Sequence, residues 1–381
     1  MQTGNTHVKA LHDSVHCGVF LVTGGGITLL SDLLTQPGAS ATVLEASVPY
    51  AEQALAETLG GTPDQACSAE TAQALAMAAF QRASVLETET DSARLFGFGC
   101  TAALATNRKK RGKHRAYLAI QSSQATSCAS IEFDKGADQM GDRLAEEAQI
   151  TDLAWRLLDE HLDVALHAPA LPATSRFDIQ HVQAQPAWAK LLAGSIDATP
   201  ADAATGAPEK PKALISGSFN PLHEGHLQMA EQAEQILDCK VGFELCIDNV
   251  DKPALGFFDI AKRSMQFDGK PLWLTRLPTF IQKSREFPNC TFVVGIDTLV
   301  RIGMPRYYQN SQAMHEAFNE FADLGNRFLV FGRRGETGFN TLDNVELPDA
   351  LRALCTGVPE SQFRNDLSSS AIRNQRFASE N

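Results

Sequence analysis

Short apolar runs alternate along the chain with longer stretches of helical periodicity. In the first part of the sequence, the short runs predict strands at residues 18–22, 41–50, 95–104 and 114–123. Apolar residues spaced three and four positions apart predict helices at residues 27–35, 69–83 and 138–162. This alternation is typical of an α/β layer, which we assign to residues 1–165.

The pattern is interrupted at residues 166–211, where Pro, Ala, Thr and Asp are frequent and periodicity is weak. We interpret this segment as a linker with one short helix around residues 187–194. A second domain is predicted from residue 212 to residue 381.

The second domain contains apolar runs without polar alternation, as expected for strands that are buried on both faces. These runs lie at residues 212–216, 240–247, 290–296 and 326–333. Helical stretches separate them, so the sequence predicts parallel strands with crossover helices in a doubly wound sheet. The predicted fold class is therefore α/β in both domains.

Composition restricts the possible partners. The chain has 381 residues, 44% hydrophobic and 20% charged, which is typical of a globular protein with an apolar core. A formal net charge of −12 argues against nucleic acid as the main partner, although a local basic group still suits a small anion. No signal peptide or membrane span is visible, and the eight scattered cysteines fit reduced thiols in a cytoplasmic protein.

The strongest chemical signal is LISGSFNPLHEGHLQMAE, residues 214–231. It predicts a strand, a tight turn and a helix, with His223 and His226 at the start of the helix. Ligands of parallel sheets bind at the carboxyl ends of the strands, and a helix N-terminus attracts phosphate. Gly217 allows the backbone to approach such a ligand closely, so we predict a phosphate pocket here.

GSFNPLHEGH, together with LSSSAIR at residues 367–373, resembles the signatures of the nucleotidylyltransferase superfamily. VDKPAL and FVVGIDTLVRI, between these motifs, are similar to segments of the nicotinate/nicotinamide mononucleotide adenylyltransferases. The resemblance implies a Rossmann-like fold for residues 212–381. It also implies transfer of an adenylyl group from ATP to a mononucleotide phosphate, with Mg²⁺ accompanying the triphosphate.

The resemblance also implies the roles of individual residues. His223 and His226 would contact the triphosphate oxygens, and Arg373 would clamp the β- and γ-phosphates. The other implied nucleotide-binding residues are Gly217, Ser218, Phe219, Asn220, Lys252, Gly295, Asp297, Ser369 and Ser370. No metal site built from protein side chains is predicted.

One departure leaves the acceptor open. The adenylyltransferase branch has a tryptophan shortly after Gly-x-Asp, whereas this chain has MPRYY at residues 304–308, where Tyr307 or Tyr308 could stack on a ring. Arg333 lies either near the nucleotide or in a solvated loop, and it is not part of the predicted nucleotide site. Two alternatives therefore stand beside the leading hypothesis: cytidylyl or adenylyl transfer to another phosphorylated acceptor, and a nucleotide-binding sensor or scaffold without turnover.

The first domain resembles the C-terminal domain of the competence-damage-inducible family. The resemblance is carried by TGGG at residues 23–26 and by the segments at residues 34–40, 48–55 and 67–79. Active members of that family deamidate nicotinamide mononucleotide. The resemblance places Leu21 and Leu55 where the family has its nucleophilic Ser and its Lys, although Tyr50 remains. We interpret residues 1–165 as a catalytically degenerate domain that could still bind a nucleotide at Thr23–Gly25. The expected partners are small-molecule nucleotides, with no nucleic acid and no membrane, and the possibility of a homo-oligomer is left open.

Overall fold

The computed structural model describes residues 6–136, 140–172, 175–201, 209–250, 252–335, 338–369 and 371–373. The chain divides into two compact units. The first unit comprises residues 1–189 and 251–260, and the second comprises residues 190–250 and 261–381. Each contains its own sheet.

The sheet of the first unit has six strands in the order β2-β1-β3-β4-β5-β6. Its strands are β1 (Cys17–Thr23), β2 (Val43–Ser47), β3 (Leu95–Ala103), β4 (His114–Ser122), β5 (Ala125–Phe133) and β6 (Arg176–Gln183). β1 pairs in parallel with β2 and β3, whereas the pairs from β3 to β6 are antiparallel. The sheet is therefore mixed.

Helices cover both faces of this sheet. Along this part of the chain they are α1 (Thr6–His12), α2 (Ile27–Thr35), α3 (Ala39–Thr42), α4 (Glu52–Thr58), α5 (Ala69–Leu86), α6 (Arg143–Leu162) and α7 (Pro186–Leu192). A Cβ atom added at Gly97 or Gly99 of β3 would lie 2.1–2.4 Å from backbone atoms of α5. These glycines therefore permit the Ala-rich helix to lie directly on the strand.

The sheet of the second unit has seven strands in the order β15-β12-β11-β8-β9-β10-β7. Its strands are β7 (Ala198–Pro200), β8 (Ala213–Ser216), β9 (Val241–Cys246), β10 (Leu272–Thr275), β11 (Thr291–Gly295), β12 (Arg327–Phe331) and β15 (Cys355–Val358). All neighbours are parallel except β7, which pairs antiparallel with β10. The chain reverses its direction of winding between β8 and β11, where doubly wound sheets bind ligands.

The helices along this part of the chain are α8 (Glu224–Leu237), α9 (Phe257–Ser264), α10 (Phe280–Glu286), α11 (Ile296–Ile302), α12 (Ser311–Asp323) and α13 (Asp349–Arg352). A hairpin of β13 (Arg333–Gly335) and β14 (Gly338–Asn340) follows β12. The core is rich in phenylalanine, with Phe292, Phe318 and Phe328 each at most 1% exposed.

The predicted fold class is confirmed, and the sequence located β1, β3, β4, β8, β9, β11 and β12. It also located β2, but not β5 or β6. In β6, Phe177 and Ile179 pack on the core while the intervening residues are exposed and polar, an alternation typical of a half-buried strand that the linker interpretation overlooked. The linker prediction for residues 166–211 therefore differs from the structure, in which the described part of that segment contains β6, α7 and β7. The first unit reaches residue 189 and also includes residues 251–260.

Two histidines near the N-terminus, which the sequence suggests are surface residues, are buried. His7 and His12 are 7% and 5% exposed. The ring of His12 hydrogen-bonds Thr42 Oγ1 and the Leu33 carbonyl, while that of His7 packs on Trp155. Both are core residues, although Nε2 of His7 has no hydrogen-bond partner within the described residues. Within the described part of the chain, no helix combines the length and apolar character needed to cross a membrane.

Candidate nucleotide site

The loop after β8 is shaped by one buried aromatic ring. Phe219 has a left-handed φ of 44° and is 1% exposed, and its ring packs edge-on against Phe243 and Phe267. A Cβ atom at Gly217 would lie 2.8 Å from that ring. Gly217 therefore makes room for Phe219, and its close approach to a ligand stays a prediction. The Phe219 side chain belongs to the core, so only its backbone could contact a nucleotide.

His223 and His226 come together at the N-terminus of α8. Their ring centroids are 3.8 Å apart, with 23° between the planes, and the Phe219 ring meets His226 edge-on at 5.1 Å. The His223 backbone N–H donates to Nδ1 of His226 over 3.3 Å. Since Nδ1 of His226 accepts, the proton of the neutral ring lies on Nε2.

Burial and neighbouring positive charge lower the pKa of both imidazoles. Burial lowers the pKa of His223, and the positive charge of Arg333 lowers it further. Burial, His223 and Arg333 together lower the pKa of His226 to about 4. Nδ1 of His223 is buried and has no hydrogen-bond partner within the described residues.

The C-terminal motif lies against the same loop. Ser369 Oγ donates to the Pro221 carbonyl over 3.0 Å, and Arg373 Nη1 donates to the Asn220 carbonyl over 2.7 Å. The side chain of Asn365, which the sequence did not indicate, donates to Gln228 of α8 over 2.9 Å. The structure therefore brings Ser369 and Arg373 to the loop of the two histidines. Ser370 lies outside the described residues.

The carboxyl end of β11 adds a third group of residues. A Cβ atom at Gly295 would meet nothing within 4 Å, so the space in front of this residue is open. Asp297, in the first turn of α11, is exposed, and its carboxylate lies 3.4 Å from Arg333 Nη1. Arg333 lies two residues after the end of β12, and the sequence left open whether it lies near the nucleotide or in a solvated loop. Its position after a buried strand was the signal that could have identified it.

Lys252 and Tyr308 lie beside other residues of their own units, and the nucleotide-binding role of Lys252 stays a prediction. Lys252 belongs to the first unit, where its Cε atom lies beside Gly61. Tyr308 is part of the core, and its hydroxyl donates to the Ile302 carbonyl. Burial raises the pKa of Tyr308 to about 12. This tyrosine is therefore unsuited to stacking on a ligand.

In the first unit, the side chain of Glu147 binds the backbone N–H groups of the glycine turn. The Glu147 carboxylate accepts hydrogen bonds from the backbone N–H groups of Gly26 and Thr28, over 2.9 and 3.0 Å. An acidic side chain thus occupies the N-terminus of α2, where a phosphate would bind. This arrangement argues against nucleotide binding at Thr23–Gly25.

The two positions where the resemblance places a nucleophilic Ser and a Lys are buried. Leu21 and Leu55 are 6% and 3% exposed and pack in the same apolar cluster. Tyr50 remains, but it is 67% exposed. Within the described residues, the place of the expected nucleophile is therefore part of a hydrophobic core.

Residues 214–375 match the family model described as cytidylyltransferase-like. The chain carries a cytidylyltransferase-like domain. This match confirms the nucleotidylyltransferase resemblance of the second domain, at the level of the superfamily. The four residues His223, His226, Ser369 and Arg373 all lie within the matched segment of this domain.

Two further comparisons add little to the cytidylyltransferase-like assignment. The search of curated proteins gave no match. Among solved structures, a competence-damaged (CinA) superfamily protein from Klebsiella pneumoniae is similar at 16% identity, with a TM-score of 0.31. The alignment covers 42% of this chain and 95% of that protein. The deamidase-like identity of residues 1–165 stays a prediction.

Two glycine substitutions are expected to separate folding from ligand binding in the cytidylyltransferase-like domain. Gly217→Ala places a methyl group against the buried Phe219 ring and should destabilise the protein by about 1–3 kcal/mol. Gly295→Ala enters open space at an ordinary φ of −76°, so stability should change by less than about 1 kcal/mol.

Thermal unfolding and ATP calorimetry measure the two effects. For Gly295→Ala we expect weaker ATP binding, by about tenfold, with little change in melting temperature. Native affinity for ATP in this variant would show that the nucleotide does not lie against Gly295.

Proposed function

We propose that the second unit transfers the adenylyl group of ATP to the phosphate of nicotinamide or nicotinate mononucleotide, releasing pyrophosphate. The observation that carries this proposal is the pair of stacked imidazoles at the start of α8, beside the switch point of the sheet. Helix N-termini and convergent donors at such an edge suit phosphate groups.

The reaction needs alignment and charge stabilisation rather than a covalent intermediate. The acceptor phosphate attacks the α-phosphorus, and the bond to pyrophosphate breaks. His226 is set up as a donor, because its Nδ1 accepts from the His223 backbone and its Nε2 carries the proton. A bound triphosphate would favour the charged form of both rings, opposing the effects of burial and of Arg333. Such donors stabilise negative charge as it develops in the transition state.

Fixed positive charge comes from two arginines. Arg333 lies close enough to both histidines to lower their pKa values, and it also contacts Asp297. Arg373 holds the loop through the Asn220 carbonyl. Guanidinium groups stay charged at all relevant pH values and present several donors, which suits the β- and γ-phosphates.

Mg²⁺ fits the site as a companion of the triphosphate. Among the described residues, no cluster of three or more His, Cys, Asp or Glu side chains is suited to hold a metal ion. Mg²⁺ commonly binds through substrate phosphates and water, with few protein ligands. When bound, it would neutralise phosphate charge. Asp297 is an exposed carboxylate at this edge that could contact either a ribose or a hydrated ion.

A second candidate is cytidylyl transfer from CTP to a phosphorylated acceptor. It is favoured by the description of the matching family, which is cytidylyltransferase-like. The phosphate-binding residues would act in the same way in both reactions, so the choice between them depends on recognition of the base and of the acceptor.

Pyrophosphate release by the purified protein tests both candidates. ATP and CTP are each offered with nicotinamide mononucleotide, with nicotinate mononucleotide and with phosphocholine, in the presence of Mg²⁺. We expect release with ATP and one of the pyridine mononucleotides, and at least tenfold less with CTP. Release only with CTP and phosphocholine would establish the second candidate. No release with any pair, despite measurable ATP binding, would contradict both candidates and favour a sensor without turnover.

A further inference from the structure

Four successive carbonyl groups of the loop after β8 each accept a hydrogen bond from a different side chain. Those of Asn220 and Pro221 accept from Arg373 and Ser369, as described above. The remaining two accept from the chain between β9 and β10. Arg263 Nη1 donates to the Ser218 carbonyl over 3.1 Å, and Gln266 Nε2 donates to the Phe219 carbonyl over 3.0 Å.

Gln266 makes a second contact with the loop. Its Oε1 atom accepts from the Leu222 backbone N–H over 2.8 Å. One amide group therefore bridges the carbonyl of Phe219 and the N–H of Leu222, on both sides of the Asn220–Pro221 turn. Among side chains, only Asn and Gln place a donor and an acceptor side by side at a fixed separation without a change of charge.

These contacts fix the orientation of the loop peptides. In a trans peptide group, the C=O of one residue and the N–H of the next point in opposite directions. Because Arg263 and Gln266 hold the carbonyls of Ser218 and Phe219, the N–H groups of Phe219 and Asn220 point away from them. The loop then presents backbone donors on the side opposite to Gln266.

Gln266 also holds the backbone of the residue that immediately precedes His223 in the chain. Leu222, whose N–H it holds, precedes His223, and the backbone N–H of His223 donates to the His226 ring. A displacement of the Leu222 peptide would therefore be transmitted to the contact that fixes the proton of His226 on Nε2.

We propose that Gln266 is a positioning residue for nucleotidyl transfer, which holds the loop so that its backbone N–H groups and both imidazoles face the triphosphate. The inference rests on the proposed function of this site. Gln266 itself touches the loop, not the reacting atoms.

Substitution by glutamate gives a test that a merely structural residue would not pass. In Gln266→Glu, the ionised carboxylate can accept from the Leu222 N–H but cannot donate to the Phe219 carbonyl. The protonated carboxyl group can do both. The ordinary pKa of such a group is about 4.3. Partial burial beside a carbonyl oxygen raises this pKa and the positive charge of nearby Arg263 lowers it, so the group becomes protonated as the pH falls toward that range. The activity of the variant, relative to the native protein, should therefore rise as the pH falls.

The expected result is a loss of kcat/KM for pyrophosphate release on the order of 10²-fold at pH 8, as for a displaced catalytic group. The ratio to the native protein should recover at least tenfold, by our estimate, between pH 8 and pH 5. Gln266→Met, which keeps the length without either hydrogen bond, should lose a similar factor at both pH values. Gln312→Glu adds the same charge on the exposed face of α12 and should retain native activity.

The outcomes separate this inference from the proposed function. Native activity in Gln266→Glu and Gln266→Met at pH 8 would overturn the inference and leave the transferase standing. If Gln266→Glu is unfolded at pH 8 in a thermal melt, the kcat/KM of Gln266→Met at that pH decides. If the native protein itself releases no pyrophosphate, the proposed function fails. In that case ATP affinity, measured by calorimetry on the same three variants, decides whether Gln266 positions a phosphate-binding loop.

Discussion

Replacing His226 with alanine should lower the rate of pyrophosphate release by on the order of 10²–10³-fold, which is the usual effect of losing one preorganised transition-state donor. The ring is oriented on three sides: by the His223 ring, by the edge of Phe219 and by the His223 N–H. Alanine removes the Nε2 donor and leaves that N–H without its acceptor. The main effect should be on kcat, because the donor is expected to act most strongly on the developing charge.

Steady-state kinetics with ATP and the preferred acceptor measure this effect, with His315→Ala as the matched control. His315 lies in α12 and is exposed, and its ring hydrogen-bonds the Ser311 carbonyl and packs on Phe318 of the same helix. The control should keep native kcat and KM. A His226→Ala variant that is folded by circular dichroism and still within about threefold of native kcat would remove this histidine from the transferase chemistry.

Replacing Lys283 with methionine should lower the free energy of unfolding by about 3–5 kcal/mol, because it leaves a buried carboxylate without its counter-ion. Lys283 in α10 is 4% exposed and Glu244 in β9 is 1% exposed. The ammonium nitrogen lies 2.6 Å from both carboxylate oxygens, and Thr275 donates to the same carboxylate. Both groups are removed from water, so neither can be solvated when the other is lost.

Denaturant unfolding followed by circular dichroism checks this prediction. Combining Lys283→Met with Glu244→Gln removes both charges and should restore at least half of the lost free energy, since the amide still accepts from Thr275. Arg285→Met is the control on the same helix. Its partner Glu320 is exposed, so the loss should not exceed about 1 kcal/mol. A single and a double variant of equal stability would mean that the ion pair is not what stabilises this position.

Much of the second unit could be predicted from local patterns. Residues 212–216, 240–247, 290–296 and 326–333 were identified as strands because their apolar runs lack alternation, which is the mark of a strand covered on both faces. β10 and β15 were missed, since LWLT and CTGV are short and give no period that a pattern can establish. The local sequence determines whether a long helix or strand forms. A very short strand forms only because the adjacent strands of the sheet pair with it.

The candidate site was identified in part for the same reason. His223, His226, Ser369 and Arg373 belong to two compact motifs whose spacing is visible in the chain, and the structure brings both motifs to one loop. Arg333 and Gln266 belong to no motif. The contacts of Gln266 join residues more than 40 positions apart and have no signature in a single sequence, whereas the position of Arg333 after a buried strand is a local signal.

The sequence by itself determined the α/β class, the parallel sheet of the second unit and the pair of histidines at the start of a helix, because each depends on residues close together in the chain. Only the tertiary structure decided that Gly217 makes room for Phe219, that Glu147 closes the glycine turn and that Glu244 is neutralised by Lys283. These outcomes depend on which distant side chain fills a given space or satisfies a given charge, and packing across the sheet settles that choice.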